Sequence, residues 1–485
     1  MNDIKQELLA AHALARKLMG DKSRPKYHFC VPFDLGFPAD PNAMFYAGGR
    51  YHLMFIYDSR EDSYRWGHAS SADLLHWTFH PDVLTPDETD GGIYSGGVYL
   101  DEAGKATVAY WALGRDGSAG GIRIAESCGP LYEVWHKREG YIVASTEHGI
   151  TEIAGKPVAC ADPSNIYRAG GKYCMQLGNL CLLNKFRGDE AHPEFQGDWS
   201  ELFLSDDMVH WTYDGRFYER LKTGGTELSE DCMCPYFCEL PTKNGKKSGV
   251  YLLLFISHNR GCQYYLGDFN EKTLRFIPKK HGRLTIADNA LFAPEAVDCP
   301  DGRLAVLSWM RDNLDDNLER ELAKGWSGVY CLPRELCLGE DGDLCVRYWR
   351  EIERQRACPE KFSVCGEKKL NVSLNSEVVL QVPTHGKTGV RMKGTDGEVL
   401  CYVDADRMEL VFDSTGSGAG RKVIERVPLA KRDELHLFFD GCVVDLFSAD
   451  RAISRQIFLE EGQLYAFSDE TAEGCFYEII PTNFI

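Results

Sequence analysis

A chain of 485 residues is long enough for two or three domains with sizeable cores. Its 44% hydrophobic and 26% charged residues are an ordinary globular balance, and a formal net charge of −19 repels phosphate backbones, which excludes nucleic acid as an expected partner. The longest apolar run, Val250–Ile256, is far too short to span a membrane. The 18 cysteines include no pair of pairs at zinc-finger spacing, and Cys232 and Cys234 are too close for zinc-ribbon geometry, so the cysteines predict no zinc site. Met1–Lys17 lacks the continuous apolar stretch of a signal peptide, and many cysteines without an export signal predict reduced thiols in a cytoplasm.

In chain order, residues 1–20 read as a helix with Leu8, Ala11, Leu14, Ala15 and Leu18 on one face. From about Tyr27 the pattern turns to short β-rich runs between Gly, Asp, Asn and Pro turns, and no helical period interrupts them before Asn317–Ala323. Two echoes stand out. Phe45–Tyr51 and Ile166–Tyr173 each read strand, Gly-Gly turn, strand. Asp73-Leu74-Leu75-His76-Trp77-Thr78 returns as Asp207-Met208-Val209-His210-Trp211-Thr212. That interval fits two units of roughly 60–70 residues, so a stretch of about 330 residues predicts a five-bladed β-propeller; the competing reading is a chance echo within an ordinary β-sandwich. After Trp349–Glu353 the strands shorten and alternate, which predicts a separate β-sandwich. The expected division is a helix over 1–26, a propeller over 27–355 and a sandwich over 356–485.

Three segments set a carboxylate beside a proline or cysteine ahead of a β-type run: Ala39-Asp40-Pro41-Asn42, Ala161-Asp162-Pro163 and Glu230-Asp231-Cys232-Met233-Cys234-Pro235. Acids on separate, radially arranged strands can converge, and convergent carboxylates are what glycosidic-bond cleavage requires. An isolated Asp-Pro is an ordinary turn; the ordered set carries the reading.

The order of these blocks resembles glycoside hydrolase family 32, the β-fructofuranosidases. Arg24–Phe29 followed by Gly36–Asn42 is similar to that family's opening His…Asn-Asp-Pro-Asn segment, and Trp66–Trp77 to its Trp-Gly-His-Ala…Asp-Leu-x-His-Trp block. Tyr94-Ser95-Gly96 resembles Phe-Ser-Gly, Ala161-Asp162-Pro163 resembles Arg-Asp-Pro, and Glu230–Pro235 resembles Glu-Cys-Pro with three extra residues. Gly325–Leu336 is similar to the end-of-propeller block. The resemblance implies an all-β chain, a propeller followed by a sandwich, acting on a small carbohydrate with no cofactor. It implies Asp40 as the nucleophile, Asp162 as the holder of sugar hydroxyls, and Glu230 as the general acid and then base. In a retaining pair the two carboxyls stand about 5–5.5 Å apart. Trp66, Tyr94, Ser95, Asp231, His258 and Arg260 are the candidate substrate-binding residues; Trp66 reads equally as core packing, and Trp77 and Trp211 as blade core.

The sequence departs from the pattern at named places. Ala39 stands where the family has Asn, Ala161 where it has Arg, and Ile56 where it has Gln. His258 and Arg260 are candidates to supply the missing donors. Anchoring on Cys234-Pro235 puts Met233 at the acid position; anchoring on the acid puts Glu230 or Asp231 there. The leading expectation is a retaining hydrolase of β-fructofuranosides. The alternatives are a fructosyltransferase, a furanosidase for another sugar, and a non-catalytic carbohydrate-binding propeller. The sequence leaves the oligomeric state open.

Overall fold

Five antiparallel sheets, each a run of four strands with a fifth short strand added in three of them, follow one another over residues 37–348. The computed structural model describes residues 2–31, 37–58, 63–115, 117–311, 324–418, 420–457, 459 and 461–482. The short helical stretch expected at Asn317–Ala323 lies outside the described residues. The sheets are the blades of a five-bladed β-propeller. Their innermost strands are Phe37–Ala47, Gly92–Leu100, Ala161–Pro163, Met233–Pro241 and Leu291–Asp298.

The two sequence echoes are structurally equivalent pieces of the first and third blades. Gly48-Gly49 and Gly170-Gly171 all adopt positive φ, as a tight turn between right-twisted strands demands. Asp73 and Asp207 each accept bonds from the backbone N–H groups two and three residues on and from the following histidine ring, His76 or His210. This shared turn delivers Trp77 and Trp211 to the first position of the outermost strands, where both pack against the main core.

Ring closure is made by side chains and short bridges. Tyr330 donates its backbone N–H to Phe29 O, and their rings stack 4.8 Å apart. Trp349 Nε1 donates to Asp73 O at 2.8 Å, tying the end of the fifth blade to the first. The N-terminal helix, Asn2–Gly20, buries Leu18, and a side chain at Gly325 would meet Leu14.

Beyond Arg356 the chain forms one ten-stranded antiparallel sheet with its own core, built on residues such as Val390, Leu437 and Leu446. The sheet doubles over itself because its longest strand, Gln463–Ile479, pairs with Lys387–Lys393 along its first part and with Asn375–Leu380 along its last. The sandwich-like body is thus one continuous hydrogen-bonded ladder.

The propeller and this sheet are locked at His28. The buried imidazole lies between Asp440 (Nδ1–Oδ2, 2.8 Å) and Asp445 (Nε2–Oδ2, 2.6 Å). Asp440 also accepts the backbone N–H groups of Lys26, Tyr27 and His28. Burial disfavours the charged ring, but the two carboxylates outweigh it and hold the pKa up at about 9.

Candidate active site

The innermost strand of every blade loses register near its start, and the five irregularities correspond. They fall between Pro38 and Ala43, Ile93 and Gly96, Ala161 and Pro163, Met233 and Tyr236, and Phe292 and Glu295. The residues they carry are Asp40-Pro41, Ser95-Gly96, Asp162-Pro163, Cys234-Pro235 and Ala293-Pro294. Asp162, Cys234 and Ala293 share a left-handed backbone, with φ of 39°, 47° and 44°. A bulge re-aims a side chain out of the ladder, and proline removes the donor the ladder would otherwise need there. Five equivalent bulges therefore turn five side chains to a common centre.

Contacts confirm that convergence for four of them. Ser95 Oγ donates to Asp40 Oδ2 at 2.9 Å. The Cys234 thiol lies 3.8 Å from Asp40 Oδ2 and 3.4 Å from Asp162 Oδ2, so it bridges the two acids. Asp40 is partly exposed and Asp162 is buried. Burial raises the Asp40 pKa, against the Ser95 bond, His258, Cys234 and Arg311. Burial and the neighbouring Asp40 charge push Asp162 up to about 7. Two adjacent carboxylates resist double ionisation, so one ionised and one protonated group coexist near neutral pH. Cys234 itself stays a thiol, because burial and both acids drive its pKa far up.

Glu230 does not join this group. It precedes the strand by three residues and its polar contacts run outward. Arg283 on the outermost strand of the fourth blade grips both oxygens, at 2.7 and 2.9 Å. Gln263 Nε2 donates to Oε2 at 3.0 Å and the Glu227 N–H to Oε1 at 2.9 Å. Burial alone would raise its pKa, but these bonds lower it below the ordinary value. Such a carboxylate is ionised and fully satisfied, the opposite of a general acid. The residue that opens the fourth innermost strand is Met233, opposite Ile256.

Asp231 and His258 pair with each other. The buried Asp231 carboxylate accepts the His258 backbone N–H at 2.9 Å and faces Nδ1 at 2.8 Å. Burial would lower the His258 pKa; Asp231, Asp162 and Asp40 together raise it. Phe292 meets the His258 ring edge-on at 5.4 Å. Arg260 turns to the rim, where it pairs with Glu227 at 3.2 Å with both side chains largely exposed.

Trp66 is fully buried, donates to Tyr94 O at 2.9 Å and packs on Tyr110, so it is blade core and offers no face to a sugar. Tyr94 is partly buried between Tyr64 and Trp111. Ile56 and Ala161 are buried and apolar, and Ala39 packs against the core cluster that contains Ile56. Sequence reasoning missed Arg311, which lies over Phe292 and Trp309 at 5.0 and 5.6 Å and acts on Asp40. It also missed Arg283, whose only sequence signal is a charge on the outermost strand.

The model of the family described as "Glycosyl hydrolases family 32 N-terminal domain" matches residues 28–347. The chain belongs to glycosyl hydrolase family 32. Among its curated relatives is a levanase of Bacillus sp. (strain L7), 26% identical over 470 residues, covering 89% of this chain and 48% of the levanase. The chain thus spans about half of that enzyme. A sucrose-6-phosphate hydrolase of Zymomonas mobilis subsp. mobilis is 24% identical over 488 residues, covering 93% and 90% of the two chains. The family 32 fold is shared with fructan 1-exohydrolase IIa from Cichorium intybus, at a TM-score of 0.78, 16% identity and coverage of 96% and 98%. Sucrose-6-phosphate hydrolase from Lactobacillus gasseri gives 0.78, 19%, 98% and 97%.

Proposed function

We propose that the chain hydrolyses β-fructofuranosides with retention of configuration, Asp40 attacking the anomeric carbon of a fructosyl unit. The observation that carries this is the Asp40–Cys234–Asp162 cluster on equivalent bulges of a family 32 propeller. Asp40 is partly exposed and bonded by Ser95, and Asp162 stands beside it with a pKa near 7 to hold sugar hydroxyls as positive charge builds on the ring. The names of the relatives support a fructoside as substrate, as does a Bombyx mori β-fructofuranosidase of the same fold (TM-score 0.76, 19% identity) in complex with sucrose. The acidic surface and the partly exposed site fit a small neutral sugar. We further place the chain in the cytoplasm, because all 18 cysteines are free thiols, as a reducing compartment keeps them.

A second reading has a specific observation in its favour. Anchored on Cys234-Pro235, the family pattern puts Met233 at its acid position, and Glu230 is engaged by Arg283, which suits a propeller that binds sugar without cleaving it. Incubation with sucrose, inulin, levan, difructose anhydrides and an aryl furanoside panel separates the readings. Release of free fructose, lost in Asp40→Asn with an unchanged melting temperature, supports hydrolysis. Saturable binding without release supports the binder, and transfer of fructose to sugar in place of water supports a fructosyltransferase.

A further inference from the structure

The position before the Cys234-Pro235 bulge is occupied by a thioether. Met233 Sδ accepts the Leu180 N–H at 3.4 Å and packs over Gly178, where a side-chain carbon would sit 2.5 Å from the sulfur. No proton can come from this group, and Glu230 is held ionised by Arg283. The proton must come from another group.

The Met233–Ile256 register, continued two residues outward on each side, sets Asp231 opposite His258. These two residues are bonded twice, through the backbone N–H and through Nδ1. The two hydrogen bonds fix the ring's position and its tautomer: the proton on Nδ1 points at Asp231, which leaves Nε2 for a partner outside the pair. The His258 side chain is 44% exposed, so a bound molecule can reach it, whereas Asp231 beneath it is only 2% exposed. The largest charge effects on the ring are acidic: Asp231 from the segment before the strand, Asp162 from the third blade and Asp40 from the first. From the other packed elements come the Phe292 edge and Asn289, which donates to the His258 carbonyl at 3.0 Å; Arg260, two residues on, is turned away to Glu227.

We propose that His258, oriented by Asp231, is the catalytic proton donor and acceptor that takes the place of the family's glutamate. The proposal rests on the hydrolytic reading above. In the first step the Asp40 carboxylate forms a bond to the anomeric carbon, the glycosidic carbon–oxygen bond breaks, and the departing oxygen takes the proton from Nε2. The products are a fructosyl ester of Asp40, a free alcohol and a neutral imidazole. In the second step Nε2 takes a proton from water as the water oxygen bonds to the anomeric carbon. The ester bond breaks, Asp40 returns as a carboxylate and His258 as an imidazolium.

The test compares two leaving groups. An alkyl fructoside such as sucrose needs its leaving oxygen protonated, while p-nitrophenyl β-D-fructofuranoside does not. In His258→Ala and His258→Gln, kcat/KM for sucrose is expected to fall about 10²–10⁴-fold. Cleavage of the aryl substrate is expected to persist, azide should accelerate its turnover and yield fructosyl azide, and the basic limb of the wild-type pH profile should disappear. Asp231→Asn should show the same pattern more weakly. Equal losses on both substrates in both His258 variants, or no loss on either, overturn the proposal while leaving hydrolysis standing. The leaving-group pattern appearing in Glu230→Gln instead also overturns it. A wild-type enzyme that releases fructose from neither substrate overturns the hydrolytic reading and this proposal with it.

Discussion

Glu230 and Arg283 form a two-pronged ion pair across the fourth blade, Oε1 to Nη2 at 2.7 Å and Oε2 to Nη1 at 2.9 Å. The carboxylate side chain is wholly buried and the guanidinium is 21% exposed. A fork-to-fork pair of this kind is oriented as well as attracted, and it commits both charges to structure.

Glu230→Gln should therefore act on stability. Removing one partner of a buried pair strands the other, which costs up to ~3 kcal/mol here given the partly exposed guanidinium. The folded pKa lies below the ordinary 4.5, so the contribution is present above about pH 4.5 and fades as pH falls through the lower folded value. Thermal melts at pH 7 should show the loss, melts in acid a smaller one, and activity per folded molecule should be kept. A variant that melts like wild type but is inactive contradicts this.

Asp162 carries the opposite sign. Its folded pKa of about 7 exceeds the unfolded 3.8, so the native state holds the proton more tightly and stability falls as pH rises from about 4 to about 7. Asp162→Asn keeps the neutral shape. The variant should match wild type near pH 4 and exceed it above pH 7 by ~2–4 kcal/mol, while losing activity. A melting-temperature difference that does not change with pH contradicts the assignment.

The His28 clamp makes a third pH signature. With a folded pKa of about 9 against 6.5 unfolded, its contribution is complete below about pH 6.5 and is lost as pH rises through about 9. His28→Asn leaves Asp440 and Asp445 buried without their cation and should cost about 3–5 kcal/mol at pH 6. The gap between variant and wild type should narrow in urea melts at pH 9.5. A constant gap contradicts it.

By the resemblance to the family pattern, Ala39, Ile56 and Ala161 set apolar groups where that pattern is polar, and specificity is expected to follow from them. A lost hydrogen bond to a charged group is worth roughly 1.5–3 kcal/mol, about tenfold to a hundredfold in rate. Sucrose should therefore be a poor substrate beside some other furanoside in the panel. A kcat/KM for sucrose above about 10⁵ M⁻¹s⁻¹ contradicts this, since that lies in the efficient range.

The blades were legible because two of them, the first and the third, repeat a local device. The Gly-Gly turn and the Asp…His-Trp turn are short-range chemistry, so two copies suffice to announce the unit. Asp40 and Asp162 were legible for the same reason: each sits in its own bulge beside its own proline. The contacts of Glu230 were not legible, because its partner Arg283 lies 53 residues away and only strand order brings it near. Met233 stands opposite Ile256 through pairing register, which the string of residues does not display. His258 was visible as a polar residue after a strand, but its bond to Asp231 crosses 27 residues of chain. The doubled-over single sheet of the C-terminal body was hidden for a similar reason, since Gln463–Ile479 reads as ordinary alternation.

The nucleophile can be seen directly. The enzyme is mixed with an aryl β-fructofuranoside, quenched in acid during turnover, digested and analysed by mass spectrometry. The account predicts a peptide containing Asp40 heavier by one fructosyl unit, present in wild type, accumulating in His258→Ala and absent in Asp40→Asn. Turnover with the fructosyl unit on a different carboxylate, or turnover undiminished in Asp40→Asn, would contradict it.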